Sequence, residues 1–178
     1  MRRLLKVAVL AGWLLFWLLP LVSDVVATSQ VTVDLTTYGQ GPFDARFYKK
    51  DGIVFTQGSF VGFVQGDEAL VGPVAGRFGR PVSTLSARVA PSLQGTAEYT
   101  LTAFAASGEV VASASVIVTQ DLDDPATGPF GYFTIDLGDL PGQAKSFTLE
   151  NRFLRSSFTN TSVPFGVSSI SYTRQAGQ

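Results

Sequence analysis

The chain has 178 residues, with 13 basic and 14 acidic side chains for a formal net charge of −1, and it contains neither histidine nor cysteine. Without imidazole or thiol there is no Ser–His triad, no cysteine nucleophile, no disulfide framework and no zinc or copper site of the usual kind. The charge balance offers no electrostatic footprint for nucleic acid.

The chain begins with Arg2, Arg3 and Lys6, followed by an apolar run of 16 residues at 7–22 that only Gly12 and Pro20 interrupt. Val25-Val26-Ala27 then offers small or aliphatic residues for cleavage. This is the three-part pattern of a secretory signal peptide, predicted over 1–27. The run is shorter than the ~20 apolar residues that span a bilayer, although an uncleaved signal anchor is the competing reading. The Arg2-Arg3 pair is compatible with twin-arginine export, but the short basic region and very apolar run favour the general secretory route. With no cysteine for lipidation and a polar end at 174–178, no other anchor is expected. The predicted location is therefore secreted, periplasmic or cell-surface, with no membrane attachment after cleavage. The leader also holds Met1, Trp13, Trp17 and Asp24, which leaves 10 basic and 13 acidic residues in 28–178, a net charge of −3. A domain of about 150 residues buries roughly 70% of its unfolded surface and can fold without disulfides.

The remainder reads as short strands separated by turn clusters. Residues 31–38 alternate Val31, Val33 and Leu35 against Thr32, Asp34 and Thr36. Strands follow at 52–55 and 60–65, joined through Gln57-Gly58-Ser59, and then a stretch rich in Gly and Pro runs from Gly66 to Pro81. A strand at 82–90 precedes a hairpin of 98–105 and 109–119 around Ala106-Ser107-Gly108, where Gly108 supplies a positive φ. Strands at 131–137 and 145–151 flank a turn at Gly138-Asp139-Leu140-Pro141-Gly142, and 166–173 closes the chain. No window beyond the leader has a helical apolar period, and Thr, Val, Ser and Phe suit pleated, half-buried surfaces. About eight to ten such strands predict an all-β fold, a two-sheet antiparallel β-sandwich with jelly-roll topology favoured, as one domain over 28–178. Phe55, Leu85, Leu101, Val116, Ile135, Leu149 and Ile170 are the residues predicted to point between the sheets.

Four segments carry a resemblance. Tyr48-Lys49-Lys50-Asp51-Gly52-Ile53-Val54-Phe55 resembles the early "Tyr, spacer, Gly-Val-x-Phe" strand of exported bacterial jelly-roll domains of the kind found in PEP-CTERM-sorted proteins, which are galactose-binding-like in shape. Residues 78–85 (Phe-Gly-Arg-Pro-Val-Ser-Thr-Leu) resemble their "Phe-x-x-Pro-Val-x-x-Val" start of a core strand. Residues 101–111 are similar to their "aliphatic-x-Ala-Tyr-Asp-x-x-Gly" hairpin, and 165–172 to their closing "Phe-Gly-Ile-Asp-Asp-Leu-x-Phe" strand. Ser168-Ser169 stands where that pattern has paired Asp, and the C-terminal sorting tail is absent. The resemblance implies a jelly roll and, by analogy of fold, a glycan-binding role.

Three groups of residues bear on chemistry. Asp121, Asp123 and Asp124, before Pro125, form the densest acidic cluster. Carboxylates at such spacing suit calcium, the only cofactor considered, but no EF-hand order is present and a solvated turn is the favoured reading. Glu98, Glu109, Glu150 and Asp67-Glu68 are the candidates for a glycosidase pair, which needs carboxyl groups roughly 5–10 Å apart. Glu98 and Glu109 fall at opposite ends of one hairpin, over about 20 Å apart at ~3.3 Å per residue, so they cannot form it within that hairpin. Aromatics at Phe43, Phe47, Tyr48, Phe130, Tyr132, Phe153 and Phe158 lie in or beside loops among Arg46, Arg152 and Arg155. Aromatic faces stack on sugar rings while Arg fixes hydroxyls, which makes Arg46, Tyr48, Arg155 and Phe158 the candidate ligand site. At least half of these aromatics are expected to plug the sandwich as core. The sequon Asn160-Thr161-Ser162 has meaning only in a eukaryotic secretory pathway.

Together these features point to an exported, non-catalytic sandwich that binds a polysaccharide or another cell-surface component. A structural or adhesive envelope protein without a small ligand is the second reading, and a carboxylate-based glycoside hydrolase the third. Mass spectrometry of the exported protein is expected to find a mature N-terminus near Thr28. Recovery of only the full-length chain in the membrane fraction would establish the anchor instead.

Overall fold

A computed structural model describes residues 28–58, 60–64, 67–92, 94–120, 131–155 and 164–175. The leader, the acidic cluster at 121–125, Phe130 and Phe158 lie outside the described residues. Ten strands follow in chain order: β1 (Thr28–Asp34), β2 (Gly41–Pro42), β3 (Ile53–Gln57), β4 (Phe60–Val64), β5 (Asp67–Gly72), β6 (Val74–Ala90), β7 (Gly95–Phe104), β8 (Val110–Gln120), β9 (Phe133–Arg155) and β10 (Phe165–Gln175). A single 3-10 turn, Phe47–Asp51, sits between β2 and β3.

The strands form one antiparallel hydrogen-bonded path, β2-β4-β5-β10-β6-β9-β7-β8, with β1 added on β10 and β3 on β6. The path doubles back because β6, of 17 residues, and β9, of 23, each serve two layers. In one layer the first half of β6 pairs with β3 and with the second half of β9, which continues to β7 and β8. In the other, the second half of β6 pairs with β10 and with the first half of β9, while β10 carries β1 and β5 on its other edge. This is the antiparallel sandwich that the strand spacing predicts, with the refinement that its sheets share two strands.

The passage between layers occurs at two opposed bulges. Residues 78–81 of β6 lie opposite Lys145 alone, and 140–143 of β9 lie opposite Ser83 alone. The second excess cancels the first, so Thr84↔Asp139 falls in the register of Val74↔Leu149, and a one-residue irregularity then leads to Ser86↔Asp136. Bulges bend a strand and sharpen its twist, which is what turning from one layer into the next requires. Pro81 sits where a missing N–H costs no ladder bond. The Lys145 ammonium donates to the carbonyls of Gly79 at 2.9 Å and Phe78 at 3.5 Å, which satisfies acceptors that the bulge frees. The turn expected at 138–142 is thus part of a bulged passage inside one strand, and the Gly- and Pro-rich stretch holds β5 and the start of β6.

Residues from both layers meet in one core. Leu85, Leu101, Leu149 and Ile170 are fully buried, Phe55 and Ile135 nearly so, and Val116 is half-buried at the margin. Rings bridge the layers: Tyr99 of β7 lies 5.5 Å from Phe165 of β10 and 5.1 Å from Phe133, while Phe78 of β6 lies 4.9 Å from Tyr172 of β10. The hairpin joining β7 to β8 forms where expected. The Ala105 N–H donates to Glu109 O at 2.8 Å, and Gly108 adopts φ 90°, which a side chain would resist.

Leu101→Ala and Ile135→Ala are each expected to cost about 2–4 kcal/mol in urea melts, from lost burial and the cavity left behind. Losses under about 0.5 kcal/mol in both would contradict this register.

Candidate functional site

The loop from Tyr38 to the 3-10 turn carries three of the seven candidate aromatics, and it buries Tyr48, half-buries Phe43 and leaves Phe47 exposed. Tyr38 packs on Phe43 and Phe47, and Phe43 packs on Tyr48 and Phe55. Phe55 then meets Phe147, Phe147 meets Phe78, and Phe78 meets Tyr172. The result is a continuous file of rings that seals this part of the core. Tyr48 is only 3% exposed, so its ring lies in the core and not on the surface as a platform. Burial pushes the Tyr48 phenol upward; a hydrogen bond with Thr37 opposes this, and the nearby Asp34, Asp51 and Tyr38 add to it.

Arg46 is exposed immediately before the turn, its N–H donating to the Asp44 carboxylate at 2.9 Å. Arg155 ends β9 opposite Thr96. It stands eight residues beyond Phe147, a span of about 26 Å at ~3.3 Å per residue, so the described residues do not bring it to Arg46 and Tyr48. Phe158 and the three calcium candidates Asp121, Asp123 and Asp124 lie outside the described residues. Among the described residues no three acidic side chains group closely enough to hold a metal. Glu98 is engaged by Arg152 at 2.6 Å, and Glu109 accepts from the Ser107 hydroxyl at 3.2 Å.

A different site emerges at the β6 bulge. A cleft of about 270 Å³ opens between the 3-10 turn, the bulge and the end of β10. The turn contributes Lys49 and Lys50, the bulge Gly79 and Arg80, and β10 Tyr172 and Arg174. Gly52 holds the pieces together. It ends the turn at φ 92°, and its carbonyl accepts the Gly79 N–H at 2.8 Å. A Cβ on Gly52 would lie 3.1 Å from both the Arg174 guanidinium and the Tyr172 hydroxyl, so glycine is required by conformation and by space. Tyr172 donates its hydroxyl to the Asp51 carbonyl, which ties β10 to the turn. Burial raises the Tyr172 phenol, with Arg174 opposing and Asp51 reinforcing.

The charged side chains that line the cleft are all cations, with the Asp51 carboxylate nearby. Lys49, Lys50, Arg80 and Arg174 converge on the cleft, and the only ion pair among the described residues is Arg152–Glu98. These four cations therefore have no described carboxylate within bonding distance, although residues 28–178 are net acidic. Guanidinium and ammonium groups around a small cleft suit a carboxylate, sulfate or phosphate, with Arg able to bind in a fork. The volume fits one substituted sugar ring or a single anionic group better than a drug-sized molecule. Lys49 and Lys50 adjoin a turn, Arg80 follows Gly79, and Arg174 lies near the C-terminus; each alone reads as a solvated charge. The one available sequence signal was basic residues flanking Gly at 49–52 and 79–80.

No family model matches the chain, and no curated protein or solved structure matches it either.

The phenols supply a pH test. Burial pushes Tyr99 up to about 12, opposed by its hydrogen bond with Asn151, and Tyr48 and Tyr172 are also raised. Between pH 10 and 12 the folded protein holds protons that the unfolded chain has lost. The stability these phenols contribute is therefore complete below pH 10 and disappears as pH rises through their folded values. Urea melts should show a loss approaching about 2–3 kcal/mol from Tyr99 alone by the top of that window. Full phenolate absorbance at pH 10–11 with unchanged stability would contradict the buried placement.

Proposed function

We propose that this protein is an exported, non-catalytic β-sandwich that binds an acidic glycan of a cell surface or matrix through the cationic cleft. The observation that carries this reading is the convergence of Lys49, Lys50, Arg80 and Arg174, with no carboxylate paired to them among the described residues, around one cleft in an otherwise acidic chain. A sugar carboxylate or sulfate would take the forked donors of Arg174 or Arg80, with the lysines adding charge at the rim. The basic and apolar leader at 1–27 supports export, and the resemblance of four strand motifs to exported jelly-roll domains supports a glycan over a small metabolite. The site so proposed replaces the Tyr48-centred platform, because a buried ring has no free face to stack on a sugar.

The test is calorimetry of the purified protein against a sulfated glycan, a polyuronate and a neutral dextran. Both acidic polymers are expected to bind, with affinity falling as salt rises. Arg174→Ala and Arg80→Ala should each weaken binding about tenfold, the equivalent of roughly 1.4 kcal/mol for one charge-assisted contact. Equal binding of the neutral polymer, or indifference to both substitutions, would overturn the reading.

The structural or adhesive reading keeps one specific observation in its favour: β8 leaves a long, uncharged strand at the end of the sheet.

A further inference from the structure

The sheet has five margins among the described residues, and four of them are protected; the first half of β9, paired only with β6, carries Asp136 and Asp139. β2 has two residues, one of them Pro42. β3 has five and ends in an irregularity between Phe55 and Gln57. β1 carries Asp34 at its end and mostly polar residues before it. Short length, proline, bulges and charge are the devices by which sheet edges avoid pairing with other chains. β8 is long, and its one irregularity, where Val111 is the extra residue beside Ala103 and Phe104, lies at its hairpin end. Its eleven residues, Val-Val-Ala-Ser-Ala-Ser-Val-Ile-Val-Thr-Gln, include no charge, no proline and no glycine.

The core also stops short along this margin. Ala97, Tyr99 and Leu101 of β7 are buried, whereas Val116 and Val118 beside them on β8 pack on the core yet remain half-buried. On the outer face Ile117 is 61% exposed and Val110 60%. That face is a ladder of hydroxyls, with Thr96 on Thr119 at 2.9 Å, Thr100 on Ser115 at 2.7 Å and Thr102 on Ser113 at 2.9 Å.

We propose that the free edge of β8 pairs antiparallel with β8 of a second copy of this chain, about a two-fold axis at Ser115. The sequence is complementary to itself in that register. An axis there pairs the regular stretch 112–118 about its midpoint, clear of the irregularity at Val111 and of the buried Gln120. On the core side Ala114 faces the second copy's Val116, and Ala112 faces its Val118, so small and large side chains alternate across the seam. On the outer side Ser113 faces Ile117, and Ser115 faces its own counterpart. A slip of one residue would turn valines outward and serines inward, which fixes the register. No like charges meet at the axis, and an isologous pair closes on itself without growing into a fibre. The second copy covers Val116, Val118 and Ile117 and continues the sheet through the axis.

Sedimentation velocity of the purified protein across the micromolar range tests the pairing. A reversible dimer is expected, and Ser115→Lys, which sets two ammonium groups face to face on an exposed position, should give folded monomers whose melt, unlike that of the wild type, does not rise with protein concentration. The chain has no cysteine of its own, so Ser115→Cys provides an independent readout. Under mild oxidation it should form a covalent dimer far faster than Thr102→Cys, which lies on the neighbouring strand away from the axis. A wild-type protein that stays monomeric, a dimer that survives Ser115→Lys, or equal cross-linking of the two cysteine variants would each overturn the proposal.

Discussion

The paired bulges of β6 and β9 are the constraint on which the rest of the structure depends. Two long strands hydrogen-bonded throughout in one plane would make one flat layer with an uncovered apolar face. Extra residues at 78–81 in one strand and at 140–143 in the other let both turn together, and the compensation brings Thr84↔Asp139 back to the original register before a one-residue irregularity leads on to Ser86↔Asp136. The apolar faces on either side, with Val74, Phe147 and Leu149 before the passage and Leu85, Ala87 and Ile135 after it, then close on each other. Lys145 caps two of the carbonyls freed at the bend, those of Phe78 and Gly79.

The same bend makes the cleft. Bulging pushes Gly79 and Arg80 out of the ladder and toward the 3-10 turn, where Gly79 bonds to Gly52. Arg174 and Tyr172 reach the spot because β10 has its own irregularity between Thr173 and Arg174, opposite the start of the regular second half of β6. The cationic character of the cleft is thus a consequence of backbone geometry that brings three distant segments together. The file of rings from Tyr38 to Tyr172 packs beside it, and this explains why Tyr48 is buried.

Most strands were legible because their side chains alternate and their turns contain glycine, as at 98–119. The core residues followed from that alternation, and six of the seven named ones are buried, with Val116 held at the margin by its place on the last strand. Two features were not legible. Gly and Pro at 66–81 and 138–142 read as turns, since local chemistry does not distinguish a turn that ends a strand from a bulge that lets it continue. The burial of Tyr48 was hidden for a different reason: a lone Tyr beside Lys49 and Lys50 has the local composition of a surface loop. Its fate is decided by Phe43, Phe55 and Phe147, of which the last is about a hundred residues away. The cleft shares this property, because no window of sequence contains more than two of its cations.

The compensated register is the claim from which the sandwich, the core and the cleft all follow, and cross-strand contacts measured by NMR test it most directly. The account predicts backbone proximity of Val82 to Ala144, flanked by Arg77 to Ser146 and Thr84 to Asp139. An unbulged ladder continuing from Arg77 and Ser146 would instead set Val82 opposite Pro141. Observation of that second pairing, or of a chain reversal at 138–142 that separates the two halves of β9, would contradict the account.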